Sequence, residues 1–443
     1  MVAAASSSVA NLVKEHAHML TGTTDDYKPL LDLIGDSNFV LLGEASHGTH
    51  EFYASRAKIT KQLIREKGFN AIAVEADWPD AYRVNRFIRE RSSDEEAIEA
   101  LEDFKRFPTW MWRNADVLNL VGWLREYNGH HAPAYGKVGW YGLDLYSLFR
   151  SMEAVLQFLD KVDAEAAARA RARYACFDHY SDNSQAYGYA ASTGRSKACE
   201  GAVMDQLMEL SKQAGRYAKG DLDEFFYAQQ NARLVRNAEE YYRTMFEGHV
   251  DSWNLRDRHM METLEHLVAH LKARVGKAKI IIWAHNSHLG DARATQMGEH
   301  GELNLGQLVR QQYPRDAFLV GYTTYSGTVT AASDWDQPPE RKRVRPALRG
   351  SYESIFHDVD LPRFFVSMRN HQIEEALSSQ RLERAIGVVY RPETERASHY
   401  FNSSLSGQFD AVLHFDETRA VEPLERTAQW ERGEVPETYP FAV

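Results

Sequence analysis

The chain has 443 residues, 44% hydrophobic and 12% aromatic, enough to bury a large core and too apolar for a globally disordered protein. Its 52 Lys and Arg residues stand against 63 Asp and Glu, and the net charge of -11 argues against broad nucleic-acid binding and for plain solubility. No apolar run approaches a membrane span, and Met1 to Ala10 lack the basic flank and apolar centre of a signal peptide.

Cys176 and Cys199 have neither zinc-site spacing nor the density of a disulfide scaffold, so a reducing, cytoplasmic setting is the expectation. Residues 6–34 read as two amphipathic helices, the second starting after Thr23, Thr24 and Asp25. The apolar run 39–42 predicts a buried strand that stops at Gly43. Glu44 and His47 follow, then Gly48, then a helical pattern from about Glu51 to Lys67 with a basic last turn and a glycine stop. A purely structural junction would need a helix cap here, but capping does not call for Glu and His together between two glycines.

The next apolar run, 71–74, leads to Glu75, Asp77, Trp78 and Pro79. One helix and about thirty residues separate the two runs, the spacing of a βαβ crossover. Both strands are therefore expected to run parallel and to deliver Glu44, His47 and Glu75 to one edge of a sheet. From Asp80 to Tyr127 the pattern is helical, broken by Pro108, and 138–142 predicts a third strand that ends at Asp144.

Residues 147–275 show helical periodicity without a strand signal and read as a helical insertion or cap. Strand signals return at 280–283, 318–321, 363–366, 386–390 and 409–415. Several are continuous apolar runs, as in strands covered on both faces. The basic run Arg341 to Arg345 follows two prolines and is expected to be a mobile, solvated loop. The architecture predicted is α/β, three layers (α/β/α) around a mostly parallel sheet. Residues 1–146 and 276–443 would be two parts of one core, and 147–275 the insertion.

Three predicted strands end in chemistry-bearing groups: Glu44 with His47, Glu75 with Asp77, and His285 with His288. Ligands of open α/β sheets bind at the carboxyl ends of strands, so these groups are the candidate active site. Two chemistries fit. In one, a histidine takes a proton from water while a carboxylate holds its ring. In the other, His47, Glu44, Glu75, His285 and His288 hold a divalent metal that activates the water, although the helical H-E-x-x-H motif is absent. A serine nucleophile at Ser46 fits poorly, because Glu44 stands where G-x-S-x-G needs glycine. Phosphate-binding loops are missing. Arg56, Asp77, Arg256 and Arg258 are candidate substrate-binding residues; an arginine near a helix start can clamp an anionic intermediate, and its alternative is a surface Arg–Asp pair.

The ordered set Gly43-Glu44-Ala45-Ser46-His47-Gly48, Val74-Glu75-Ala76-Asp77-Trp78, Asn254-Leu255-Arg256-Asp257, Trp283-Ala284-His285-Asn286-Ser287-His288 and Gln408-Phe409-Asp410-Ala411-Val412 resembles the erythromycin esterase family, from about residue 30 to 425. The central turn is closer to a branch that includes proteins labelled as succinoglycan biosynthesis proteins. The resemblance implies a cleft between an α/β/α core and a helical insertion. It also implies hydrolysis of an ester or lactone, the macrolide lactone in members of known activity. It would place a general-base histidine at His47, supporting carboxylates at Glu44 and Glu75, and a second histidine pair at His285 and His288. No cofactor, nucleic acid or membrane partner is implied, only a small-molecule ester or lactone. A divalent-metal hydrolase using the same residues, or a relative that binds without turnover, are the alternatives.

Overall fold

The structure, a computed structural model, describes residues 2–130, 136–180, 183–246 and 248–433. Its strands are β1 (His18–Met19), β2 (Phe39–Leu42), β3 (Ala71–Asp77), β4 (Gly139–Asp144), β5 (Ile280–Trp283), β6 (Ala317–Ala331), β7 (Glu340–Val344), β8 (Arg363–Ser367), β9 (Arg381–Arg384), β10 (Tyr400–Ser403) and β11 (Ala411–Thr418). Nine of them form one sheet in the order β1-β8-β11-β6-β2-β5-β3-β4, with β7 paired to β6, while β9 and β10 form a separate ribbon. From β11 through β4 every neighbouring pair is parallel. β8 runs antiparallel to β11 and β7 to β6.

Strands β2 and β5, and β3 as far as Val74, are apolar at every position because both faces of the sheet are covered. Side chains alternate across a strand, so Phe39, Leu41, Ala71, Ala73, Ile280 and Ile282 enter one hydrophobic cluster. Val40, Leu42, Ile72, Val74, Ile281 and Trp283 enter the other. Helices His50–Lys67, Trp78–Ile88 and Ala115–His130 pack on the second side through residues such as Phe52, Ile59, Val84 and Leu120. Helices Leu148–Val162, Leu222–Thr244 and His249–Val275 pack on the first side through Val155, Leu234 and Leu264. The fold is thus the α/β arrangement expected. The described residues between 147 and 275 contain helices and no strand.

Three local expectations are corrected. Residues 386–390 are not a strand: Ile386 and Val389 make isolated bridges to Ser46 and Ala332, pinning this segment beside the central turn. The basic run is not a mobile loop but β7, paired with residues 327–331 of an unusually long β6. Its charges suit an edge strand, where side chains alternate between packing and water: Lys342 and Val344 are buried, Arg343 is exposed, and Arg341 lies over the Trp430 ring. Finally, Cys176 and Cys199 form a disulfide, with Cα atoms 6.1 Å apart. Helical folding joins two cysteines 23 residues apart, a pairing their spacing does not signal, and this removes the cysteine-based ground for a reducing compartment. Among the described residues no helix is long and apolar enough to cross a membrane.

Candidate active site

The strand order places β2, β5, β3 and β4 side by side, so their carboxyl ends form one edge. A cavity of about 440 Å³ opens there, lined by His47, Glu75, Asp77, Asp144, Arg256, His285 and His288 among others. The central turn is shaped by close packing. A Cβ on Gly43 would sit 2.2 Å from the Asn286 side chain, and one on Gly48 would sit 1.8 Å from the Thr330 carbonyl. Both glycines therefore let the Asn286 side chain, just after β5, and the backbone of β6 approach the turn that carries Glu44 and His47.

Glu44 is buried behind His47. Its Oε1 bonds His47 Nδ1 at 3.0 Å, and its Oε2 accepts from Arg56 at 2.5 Å. Arg56 is 0% exposed and lies between the rings of Tyr53 and Trp283, 4.4 and 4.6 Å from their centroids. It does not reach the cavity, so the expectation that Arg56 binds substrate is corrected: it clamps Glu44. With Nδ1 engaged, Nε2 is the ring nitrogen of His47 left for chemistry.

Glu75 Oε2 accepts from the His285 backbone N–H at 2.8 Å, and its Oε1 accepts from Arg256 at 2.7 Å. Burial pushes the Glu75 carboxyl up, but His288, His47 and Arg256 outweigh it and hold the group well below the usual carboxylate range. Arg256 also forks onto Asp144, at 3.0 and 2.7 Å, and its Nη1 lies 2.9 Å from His288 Nε2, to which it donates when that imidazole is neutral. Burial acts against the guanidinium, yet Asp144, Tyr146 and Glu75 hold it firmly protonated. Arg256 is the cationic hub of the site.

The two histidines after β5 differ. His285 caps the short helix Asn286–Leu289, with its Nδ1 accepting from the Ser287 N–H at 3.2 Å. Burial, then the nearby His47 and His288, pull its imidazole down to about 3, so it is neutral across the physiological range. Its Nε2 makes no hydrogen bond of normal geometry to the protein, although the Ala45 carbonyl lies close enough to act on it. His288 bonds Asp257 through Nδ1 at 2.9 Å and stacks on Trp253, with centroids 4.5 Å apart. Burial pulls His288 down, but Asp257 and Glu75 more than offset this, and its net shift is upward. The His47 and His285 rings lie 4.8 Å apart.

Glu44, His47, Glu75, His285 and His288 are thus brought together, and Asp77 lines the same cavity, held by Arg106 at 2.9 Å. Arg258 is not part of it. Two residues along a helix turn the side chain by about 200°, and Arg258 is exposed while Arg256 points inward. Asp144, Tyr146, Trp253 and Asp257 were missed by sequence reasoning. Asp144 carried the same signal as Glu75, a carboxylate at a strand end. Trp253, Arg256 and Asp257 share one helical face by their i, i+3 and i+4 spacing.

Ser46 is 1% exposed and its hydroxyl is bound to Thr49. The donor set does not fit a metal ion. Among the described residues no three His, Cys, Asp or Glu side chains stand as a ligand group. Glu44 already accepts from His47 and Arg56, Glu75 from Arg256 and a backbone N–H, and the His288 Nδ1–H is given to Asp257.

This is an α/β protein with a buried His–carboxylate–Arg site at the carboxyl ends of adjacent parallel strands. A family model described as erythromycin esterase matches residues 64–418, and the chain belongs to the erythromycin esterase family. Membership points to a hydrolase. Erythromycin esterase type II of Escherichia coli is 24% identical over 395 residues, covering 84% of this chain and 90% of that protein. The putative hydrolase YbfO of Bacillus subtilis (strain 168) is 22% identical over 434 residues, covering 90% and 89%. A crystal structure of a Bacillus cereus protein shares the fold, with a TM-score of 0.79 at 21% identity over 95% of this chain and 99% of that one.

Proposed function

We propose that the chain hydrolyses a carboxylic ester or lactone, with His47 rather than a metal ion activating the water. The observation that carries this reading is the chain of contacts Arg56–Glu44–His47. A buried carboxylate, fixed from behind by a guanidinium, fixes the ring through Nδ1 and leaves Nε2 at the cavity wall.

In the proposed reaction His47 Nε2 takes a proton from water as its oxygen attacks the ester carbonyl. Glu44 and Glu75 stabilise the imidazolium that forms. The oxyanion of the tetrahedral intermediate is stabilised by the Arg256 guanidinium and by the Nε2–H of the neutral His285. His47 then returns the proton to the leaving alkoxide as the C–O bond breaks, giving acid and alcohol. Because His285 is neutral, it donates without adding a second cation beside His47.

The test is a panel of lactones and simple esters, with mass spectrometry reading a gain of one water and a parallel sample dialysed against a chelator. The reading predicts turnover that survives chelation. Loss of turnover on chelation, restored by added Zn²⁺ or Mn²⁺, would replace His47 by a metal as the activating group. Binding without turnover by folded protein would make the chain a binding relative.

A further inference from the structure

The cavity at the strand ends does not stop at the reacting groups. It continues into a second chamber of about 990 Å³, and the two share Asp77, Asp80, Arg106, Phe107, Tyr241 and Trp335 among others at their junction. Trp335 sits there at the tip of the β6–β7 hairpin and is 52% exposed, although it is among the largest apolar side chains. Its ring meets Phe107 at 5.1 Å between centroids.

A single exposed apolar residue needs no explanation by itself. This one is held in place. Asp334 accepts from the Trp335 N–H at 2.8 Å and pairs with Arg391 at 2.9 Å. Arg391 also donates to the Ser333 carbonyl at 3.2 Å, and Lys342 donates to the Ser333 hydroxyl at 2.7 Å. Asp336, on the other side, adopts a left-handed φ of 60°, which a turn aspartate tolerates. The hairpin tip is thus tied through Ser333 and Asp334 while its indole is left half bare over the junction. A rigid aromatic surface of this kind binds a flat or ring-shaped apolar face at little entropic cost.

We propose that Trp335 and Phe107 form a remote subsite that grips an apolar ring of the substrate away from the scissile bond. This rests on the hydrolase reading and adds to it: the substrate is an ester whose non-reacting part carries such a ring, either aromatic or saturated. Contacts far from the reacting atoms, made equally in ground and transition states, appear in KM rather than kcat.

The test compares ethyl butanoate, which lacks a ring, with ethyl phenylbutanoate and phenylbutyl acetate, which place a ring on the acyl and alcohol sides. Affinity is read twice: as KM in otherwise unaltered protein, and as Kd by calorimetry in a His47→Ala background. Trp335→Ala should weaken at least one ring-bearing ester about tenfold, as expected for a lost aromatic contact. It should leave kcat and ethyl butanoate unchanged, and Trp335→Phe should restore most of the loss. Equal affinity for all three esters in the unaltered protein, no effect of Trp335→Ala, or an equal loss for all three would overturn the subsite. Trp335-dependent binding of a ring-bearing ester that is never hydrolysed would sink the hydrolase reading and leave the subsite standing.

Discussion

At the level of single residues, three histidines of one cavity have three different settings. His47 is tied to a carboxylate, His285 to a backbone N–H, and His288 to Asp257 on one side and Arg256 on the other. The last two lead to opposite pH effects on stability. The folded state holds His285 down to about 3, whereas the unfolded chain begins to protonate it near 6.5. Between those values the unfolded state binds more protons, so stability falls as pH falls, by up to about 1.4 kcal/mol per pH unit from this group. His288, shifted upward, works the other way: its contribution is full below 6.5 and is lost as pH rises through its higher folded value. His285→Asn keeps a capping acceptor and should flatten the acid side of the stability profile, measured as urea midpoints between pH 7 and pH 4. An unchanged profile would show that His285 is not held neutral. Glu75→Gln keeps the shape but removes the charge that Arg256 and His288 face, so hydrolysis should slow by at least about tenfold in a folded protein, since charge-assisted contacts are worth roughly 1.5–3 kcal/mol. Steady-state kinetics beside a circular dichroism spectrum would check it.

At the level of elements, the central turn was readable because its residues are close in sequence. A strand, Glu44, His47 and two glycines lie within ten positions, and the reason for each glycine then emerged as a neighbour too near for a Cβ. Gly48→Ala should cost about 1–3 kcal/mol or more, the range for overpacking, because the Thr330 backbone cannot easily give way. Chemical denaturation would show it, and wild-type stability would mean that the turn relaxes freely. The misread elements are those fixed by distant partners. β7 exists because β6 extends past the sheet to meet it, and 386–390 is pinned by residues far away in the chain. The disulfide likewise joins the 3-10 segment Ala175–Tyr180 to the start of helix Glu200–Lys212. Reducing it should lower stability by roughly 2–4 kcal/mol, and a non-reducing digest should release the two segments as one cross-linked peptide. Separate peptides with free thiols would contradict the pairing.

For the molecule as a whole, the sheet order converts scattered sequence signals into one site. Strands β2 and β3 are joined by one helix but are not neighbours; β5, which follows the long helical stretch, inserts between them. That insertion brings His285 and His288 to Glu44, His47 and Glu75. The parallel strands and their polar ends were legible from apolar runs and their spacing. The hub made by Arg256, Asp144 and Asp257 was not, because it joins a strand end to the middle of a helical region and only packing reveals which helical face turns inward. The remote chamber is walled largely by helices of the 147–275 stretch, but the hairpin tip that brings Trp335 to its mouth carried no sequence signal.

The central claim is that this assembly serves His47 as base. It is tested most directly by kcat for lactone hydrolysis in His47→Ala, with folding verified by circular dichroism. A positioned base contributes about 10²–10⁴-fold, so kcat should fall by that range with KM little changed. A folded His47→Ala protein with near-normal kcat would contradict the account.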